Sequence, residues 1–139
     1  MARQYAILMY EDETTWDRLS DTERQDRVRA HIAFADAVKE RATMLGGDAL
    51  VETTAATTLR HDAEGRSVLT DGPFAETVEH LGGLYVVEAA DLDVMVSLCE
   101  ELPHGYAVEI RPIRDMAPVY DLLPDESPQH PVPGGSDGG

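Results

Sequence analysis

At 139 residues and 15.2 kDa the chain is sized for one domain, and 42% apolar residues are enough to build a core. Eleven Lys and Arg stand against 27 Asp and Glu. The resulting net charge of −16 opposes nucleic-acid phosphates and anionic membranes as partners. The single cysteine, Cys99, excludes an internal disulfide framework, and no long apolar run marks a leader or a membrane span, so a soluble cytoplasmic protein is expected.

Tyr5 to Tyr10 is apolar on both alternating faces and predicts a strand covered on both sides. Ser20-Asp21-Thr22-Glu23 spells a capping box. The helix it opens is expected to run to about Ala42, with Val28, His31, Ile32, Ala35 and Val38 as its buried stripe. Gly46-Gly47 is expected to end the connection after the helix, followed by a Thr- and Val-rich stretch from Asp48 to Thr58 that favours strand over helix. Thr57–His61 and Arg66–Thr70 flank Asp62-Ala63-Glu64-Gly65, a hairpin signal. Leu84–Ala89 predicts a second strand apolar on both faces. Asp91 can cap a short helix carrying Met95, Leu98, Cys99 and Leu102, ended by Pro103. Tyr106–Ile113 alternates and closes the order β-α-β-(hairpin)-β-α-β.

Two helices on one face of such a sheet leave the other face open, although the strands at Tyr5 and Leu84 are apolar on both sides. A second copy of the chain is the simplest cover, so a homodimer is expected. Residues 118–139 turn to Pro, Gly, Ser and acids and are expected to form a disordered tail after a domain of residues 1–117. Within the tail, Tyr120-Asp121-Leu122-Leu123 is a candidate docking segment.

Between the hairpin and the second two-sided strand lies Asp71-Gly72-Pro73-Phe74-Ala75-Glu76-Thr77, leading into Leu81-Gly82-Gly83-Leu84-Tyr85. Pro73 fixes its own φ and lacks the N–H that an aspartate two residues earlier would ordinarily bond. The Asp71 carboxylate must therefore reach Phe74 or beyond, or stay free. Phe74 is expected to anchor the loop to the body. These two runs, with flanks extending from Tyr5 to about Ile113, resemble the signature of the DGPF proteins, a branch of the YCII-related family. The resemblance implies an α+β ferredoxin-like subunit, βαββαβ with an inserted hairpin, pairing into a dimeric α/β barrel. It also implies a small-molecule-binding protein that uses a His–Asp pair for acid–base chemistry, or alternatively a regulatory protein associated with alternative sigma factors. Val78 stands where many relatives carry lysine, which removes any basic role there.

On that resemblance His31 and Asp71 are the candidate catalytic residues, with Gly72, Phe74 and Glu76 lining the ligand. A carboxylate beside an imidazole fixes its tautomer and poises it near neutral pH. Read without the family, His31 is a core histidine and Asp71 a loop-stabilising carboxylate. Glu76, Glu79 and His80 match no metal-ligand spacing, so neither metal nor cofactor is expected, and a solvated acidic turn is the simpler reading. Cys99 reads as core, Arg111 as an ion-pair partner, and Arg60 and His61 as solvated hairpin positions.

Overall fold

The structure is a computed structural model and describes residues 2–123. Strand β1 (Arg3–Asp12) is followed by a helical turn, α1 (Thr15–Arg18), and the long helix α2 (Asp21–Arg41). Strand β2 (Thr43–Ala49) comes next, then a 3₁₀ turn (Thr53–Ala55) and the hairpin strands β3 (Thr57–His61) and β4 (Ser67–Asp71). Strand β5 (Glu79–Ala89), helix α3 (Leu92–Cys99), strand β6 (Ala107–Pro112) and the turn α4 (Ala117–Tyr120) complete the order. The main sheet runs β2-β5-β1-β6 with every pair antiparallel, and β3-β4 form a separate two-stranded sheet. This is the ferredoxin-like α+β arrangement expected from the sequence, hairpin insertion included.

Local signals account for where the elements begin. The Ser20 hydroxyl accepts the Glu23 N–H while the Glu23 carboxylate accepts the Ser20 N–H, completing the capping box. Asp91 caps α3 by accepting the Val94 N–H at 2.9 Å. Asp62 organises the hairpin turn by accepting from the N–H groups of Glu64 and Arg66, and Gly65 sits at φ +78°. Strand alternation then sorts the sheet: Tyr5, Ile7 and Met9 of β1 and Val87 and Ala89 of β5 meet Phe34, Val38, Met95, Leu98 and Leu102 in one core. Both helices therefore cover the same face. Ala6, Leu8 and Tyr10, with Leu84 and Val86, alternate with those residues and point to the uncovered face, where they are half-buried.

Several details differ from the sequence reading. The buried stripe of α2 is rotated: Phe34 is fully buried, while Val28 and Ile32 are about half exposed and Ala35 is exposed. Helical spacing from Arg27 through Ala30, His31, Phe34 and Val38 reaches the sheet, and one large aromatic in the core outweighs two aliphatics at the rim. β2 is Thr43–Ala49, with Gly46 and Gly47 inside the strand and not in a connection before it, and the stretch expected as strand from Asp48 leaves the sheet after Ala49, turns at Thr53–Ala55 and resumes strand only at Thr57. Glu79 and His80 are not in a helical turn: they begin β5, paired with Asp12 and Glu11. Ordered structure continues beyond residue 117 through α4, with Leu122 and Leu123 exposed, and the rest of the predicted tail lies outside the described residues.

Candidate functional site

A cavity of about 380 Å³ opens between the N-terminal half of α2 and the edge of the sheet nearest Gly47 and Gly83. Its walls are mostly apolar or glycine backbone, from Met9, Val28, Gly47, Ala49, Gly82, Gly83 and Leu84. Its polar side chains are Glu11, His31, Tyr85 and Tyr106, while Asp48, paired with Leu84, directs its side chain to the other face of the sheet. An apolar concavity with a few converging polar groups is the usual form of a small-ligand site.

The elements bring these side chains together by simple periodicities. Tyr85 and Val87 share a face of β5 with Gly83, so Tyr85 points toward the helices. Continuing Tyr5, Ile7 and Met9 by two residues puts Glu11 on the same face of β1. His31 lies one helical turn before Phe34, whose ring packs on Tyr85 at 4.8 Å between centroids. Tyr106 reaches the group from the start of β6. Two glycines make room. A Cβ on Gly47 would stand 2.5 Å from Cδ1 of Tyr85, and one on Gly83 would stand 3.2 Å from both the Asp48 carbonyl oxygen and the Met9 methyl. The Tyr85 ring lies where only glycine on the neighbouring strand admits it.

At the centre, His31 is held at both ring nitrogens. Nδ1 lies 2.8 Å from the Tyr85 hydroxyl and Nε2 3.1 Å from the Tyr106 hydroxyl. Burial, helped by the nearby Arg27 charge, holds the imidazole below its ordinary pKa, so it is neutral at pH 7. A neutral imidazole has one N–H and one bare nitrogen. One tyrosine must therefore donate its O–H to the ring, while the other accepts the ring N–H and keeps its own O–H for the cavity. Burial raises both phenols, Tyr85 further through Tyr106 and Tyr106 further through Glu11, so both stay protonated. Arg27 donates to Glu11 Oε1 at 2.8 Å and its guanidinium lies 4.9 Å over the Tyr106 ring. Glu11 Oε2 is buried and has no hydrogen-bond partner among the described residues.

Of the residues predicted for the site, His31 alone lines this cavity. Asp71, Gly72 and Glu76 face a different, shallower concavity with Thr53, Thr54, Pro73, Thr77 and His80. Within one chain His31 and Asp71 are not brought together, and tyrosine hydroxyls occupy the positions expected for a carboxylate. Phe74 anchors nothing here: it is 77% exposed, because the β3-β4 hairpin pairs apart from the main sheet and leaves no core beneath the loop. The loop is held by the hairpin itself. Gly72, at φ +99°, donates its N–H to the Ala56 carbonyl and accepts the Thr58 hydroxyl, both at 2.7 Å, and Arg60 donates to the Phe74 carbonyl. Glycine is required at 72 by that backbone angle.

Cys99 is half-buried with its thiol pushed up to about 11 by burial, which suits packing and not nucleophilic chemistry. Arg111 pairs with Glu109 at 3.6 Å on the exposed side of β6. Among the described residues no group of three or more His, Cys, Asp or Glu is placed to hold a metal ion, and no helix is long and apolar enough to cross a membrane.

Sequence reading missed Tyr85, Tyr106, Glu11 and Arg27 as site residues. For Glu11 a signal existed, since the alternation of β1 carries directly into it. For the tyrosines the grouping depends on contacts 54 and 75 positions apart, which no local pattern reports.

The model of the YCII-related domain matches residues 3–117, which span β1 to the start of α4. An uncharacterized protein of Rhizobium meliloti (strain 1021) is 40% identical over 114 residues, covering 78% of this chain and 90% of that protein. The match takes in both the sheet and the helix that wall the cavity, and the chain belongs to the YCII-related family.

Proposed function

We propose that the chain binds a small organic molecule in the cavity between α2 and the sheet, and performs general acid–base chemistry on it through His31, Tyr85 and Tyr106. The observation that carries this reading is a neutral imidazole bonded at both nitrogens to tyrosine hydroxyls on the wall of an apolar cavity. A tyrosine that donates to the bare ring nitrogen can pass its proton to His31 as it takes one from the ligand. The opposite tyrosine, fed by the ring N–H, donates to a developing negative charge. The pair thus supplies base and acid from one imidazole, with no net charge needed in the resting site. Asp71 enters this chemistry only if another subunit delivers it.

The test is mass spectrometry of small molecules that co-purify with the native protein, followed by titration of the identified compound into wild type, Tyr85→Phe and Tyr106→Phe. Turnover lost in both variants, with binding retained, supports acid–base chemistry. Binding outside the cavity, with turnover intact in both, refutes it.

A second reading concerns self-association and regulation. Leu8, Tyr10, Leu84 and Val86 on the uncovered sheet face favour a homodimer, and the exposed Leu59, Leu69, Phe74 and Val78 on the hairpin and its loop favour a protein-contact role. Light scattering that returns a monomer mass would remove the dimer. The single half-buried thiol fits a reducing cytoplasm.

A further inference from the structure

The two tyrosines that hold His31 are not equivalent. Tyr85 is raised by burial and by the neighbouring Tyr106. Tyr106 stands beside an ion pair. Arg27 donates to Glu11 at 2.8 Å with the two side chains only 12% and 17% exposed, and its guanidinium lies 4.9 Å over the Tyr106 ring. Enclosed charges of this kind are weakly screened. The Glu11 charge opposes negative charge on the Tyr106 oxygen, and Arg27 acts in the opposite sense. The chain keeps room for that guanidinium. The residue before Tyr106 is Gly105, where a Cβ would stand 2.8 Å from Arg27 Nη2. Glu11 holds the other side of the group, so Arg27 is fixed between strand β1 and the start of β6.

We propose that Arg27 is a positioning residue for the acid–base chemistry: it braces the Tyr106 ring and cancels the Glu11 charge beside it, which leaves the Tyr106 hydroxyl able to release its proton. This rests on Tyr106 being one of the acid–base groups, as argued above. Arg27 is not among the residues that line the cavity and acts through Tyr106. In either direction of the relay the Tyr106 O–H bond breaks. As acid, Tyr106 passes its proton to the ligand and takes one from Nε2 of His31. As base, it passes its proton to Nε2 and takes one from the ligand. Negative charge builds on the phenol oxygen in both cases, and a cation fixed over the ring stabilises it there.

The test needs no ligand. 3-Fluorotyrosine is placed in the full-length protein instead of Tyr106, and separately instead of Tyr85, and titrated by fluorine-19 NMR. The fluorine brings the phenol into a milder pH range. The groups acting on the phenol at position 106 are Glu11 of β1, Arg27 and His31 of α2 and Tyr85 of β5, and His31 stays neutral throughout that range. Arg27→Met is expected to raise the midpoint at position 106 by about one pH unit or more, and that at position 85 by less than about 0.3. Arg27→Lys keeps the charge and should stay within about 0.5 of wild type, Glu11→Gln should lower the midpoint at 106, and Arg27→Met with Glu11→Gln should return it to within about 0.5 of wild type. A merely structural Arg27 would not produce that return. An unchanged midpoint at 106 in Arg27→Met, or equal rises at 106 and 85, overturns the inference. If Arg27→Met does not fold, an unchanged midpoint at 106 in Glu11→Gln overturns it equally. Failure in the fluorine titrations while the nitrogen-15 signals of His31 show a hydrogen bond at Nε2 removes Arg27 alone. Signals that show no bond at Nε2 take Tyr106 out of the relay and overturn the acid–base reading together with this inference.

Discussion

Replacing Gly47 by alanine tests how closely β2 and the Tyr85 ring are fitted. The new methyl would stand 2.5 Å from Cδ1 and 3.1 Å from Cε1 of that ring, inside ordinary carbon–carbon contact. The ring has little freedom to withdraw, since its hydroxyl is bonded to His31 at 2.8 Å and its face is packed on Phe34. Overpacking of this kind costs about 1–3 kcal/mol, while the glycine-to-alanine change itself returns roughly 0.4–1 kcal/mol through the unfolded chain. A net loss of about 1–2 kcal/mol is expected, at roughly 3–5 °C of melting temperature per kcal/mol for a chain of this length. The informative assay is a double-mutant cycle with Tyr85→Ala, read by thermal and urea melts. With the ring gone, the remaining neighbour is the Leu84 carbonyl oxygen at 3.1 Å, which a small shift of β2 relieves. Gly47→Ala should then cost less than about 0.5 kcal/mol. Equal costs in the two backgrounds, or no cost in wild type, would mean that Tyr85 does not lie over Gly47 and that the cavity wall is built differently.

The other expectations follow from named contacts. Arg27→Met leaves Glu11 charged and enclosed without its partner, and should cost about 3 kcal/mol by urea denaturation, more than Glu11 and Arg27 lose when replaced together by apolar residues. Gly72→Ala forces a side chain onto a φ of +99° and should cost about 1–2 kcal/mol without disturbing the His31 resonances, since the loop and the cavity are separate. Ser20→Ala removes one half of the capping box and should cost about 1 kcal/mol. Because the folded-state pKa of His31 lies below its unfolded value near 6.5, the unfolded chain binds the extra proton first. Its contribution is therefore whole above pH 6.5 and is lost as pH falls through the folded value. Melting temperatures between pH 7.5 and 5 should fall more in wild type than in His31→Gln.

Much of the fold was legible because its signals are local. The capping box at Ser20, the Asp91 cap, the Asp62–Gly65 turn and the alternation of β1 each specify an element from a handful of neighbouring residues. The errors fall where two local readings compete. α2 carries two apolar stripes at helical spacing, one through Val28 and Ile32 and one through Phe34 and Val38, and only the sheet beneath decides between them. Gly46-Gly47 reads as a connection until β5 pairs with it, and then its purpose is space for Tyr85. The candidate site was half legible. His31 was found, but its partners come from β5 and β6 and depend on sheet order. The Asp71 loop drew attention as a rigid, acidic segment, and its glycine is explained by hairpin closure alone.

The state of the His31 imidazole bears most directly on the central claim. Nitrogen-15 NMR of the ring across pH 4–8 reports both its protonation midpoint and which nitrogen carries the hydrogen at neutral pH. Held between two phenols in a partly buried wall, the ring should be neutral at pH 7, with a single N–H in hydrogen-bonded exchange and a midpoint below 6.5. A midpoint at or above 6.5 would contradict the account, because it would mean either an imidazole open to water or one stabilised in its charged form by a carboxylate such as Asp71.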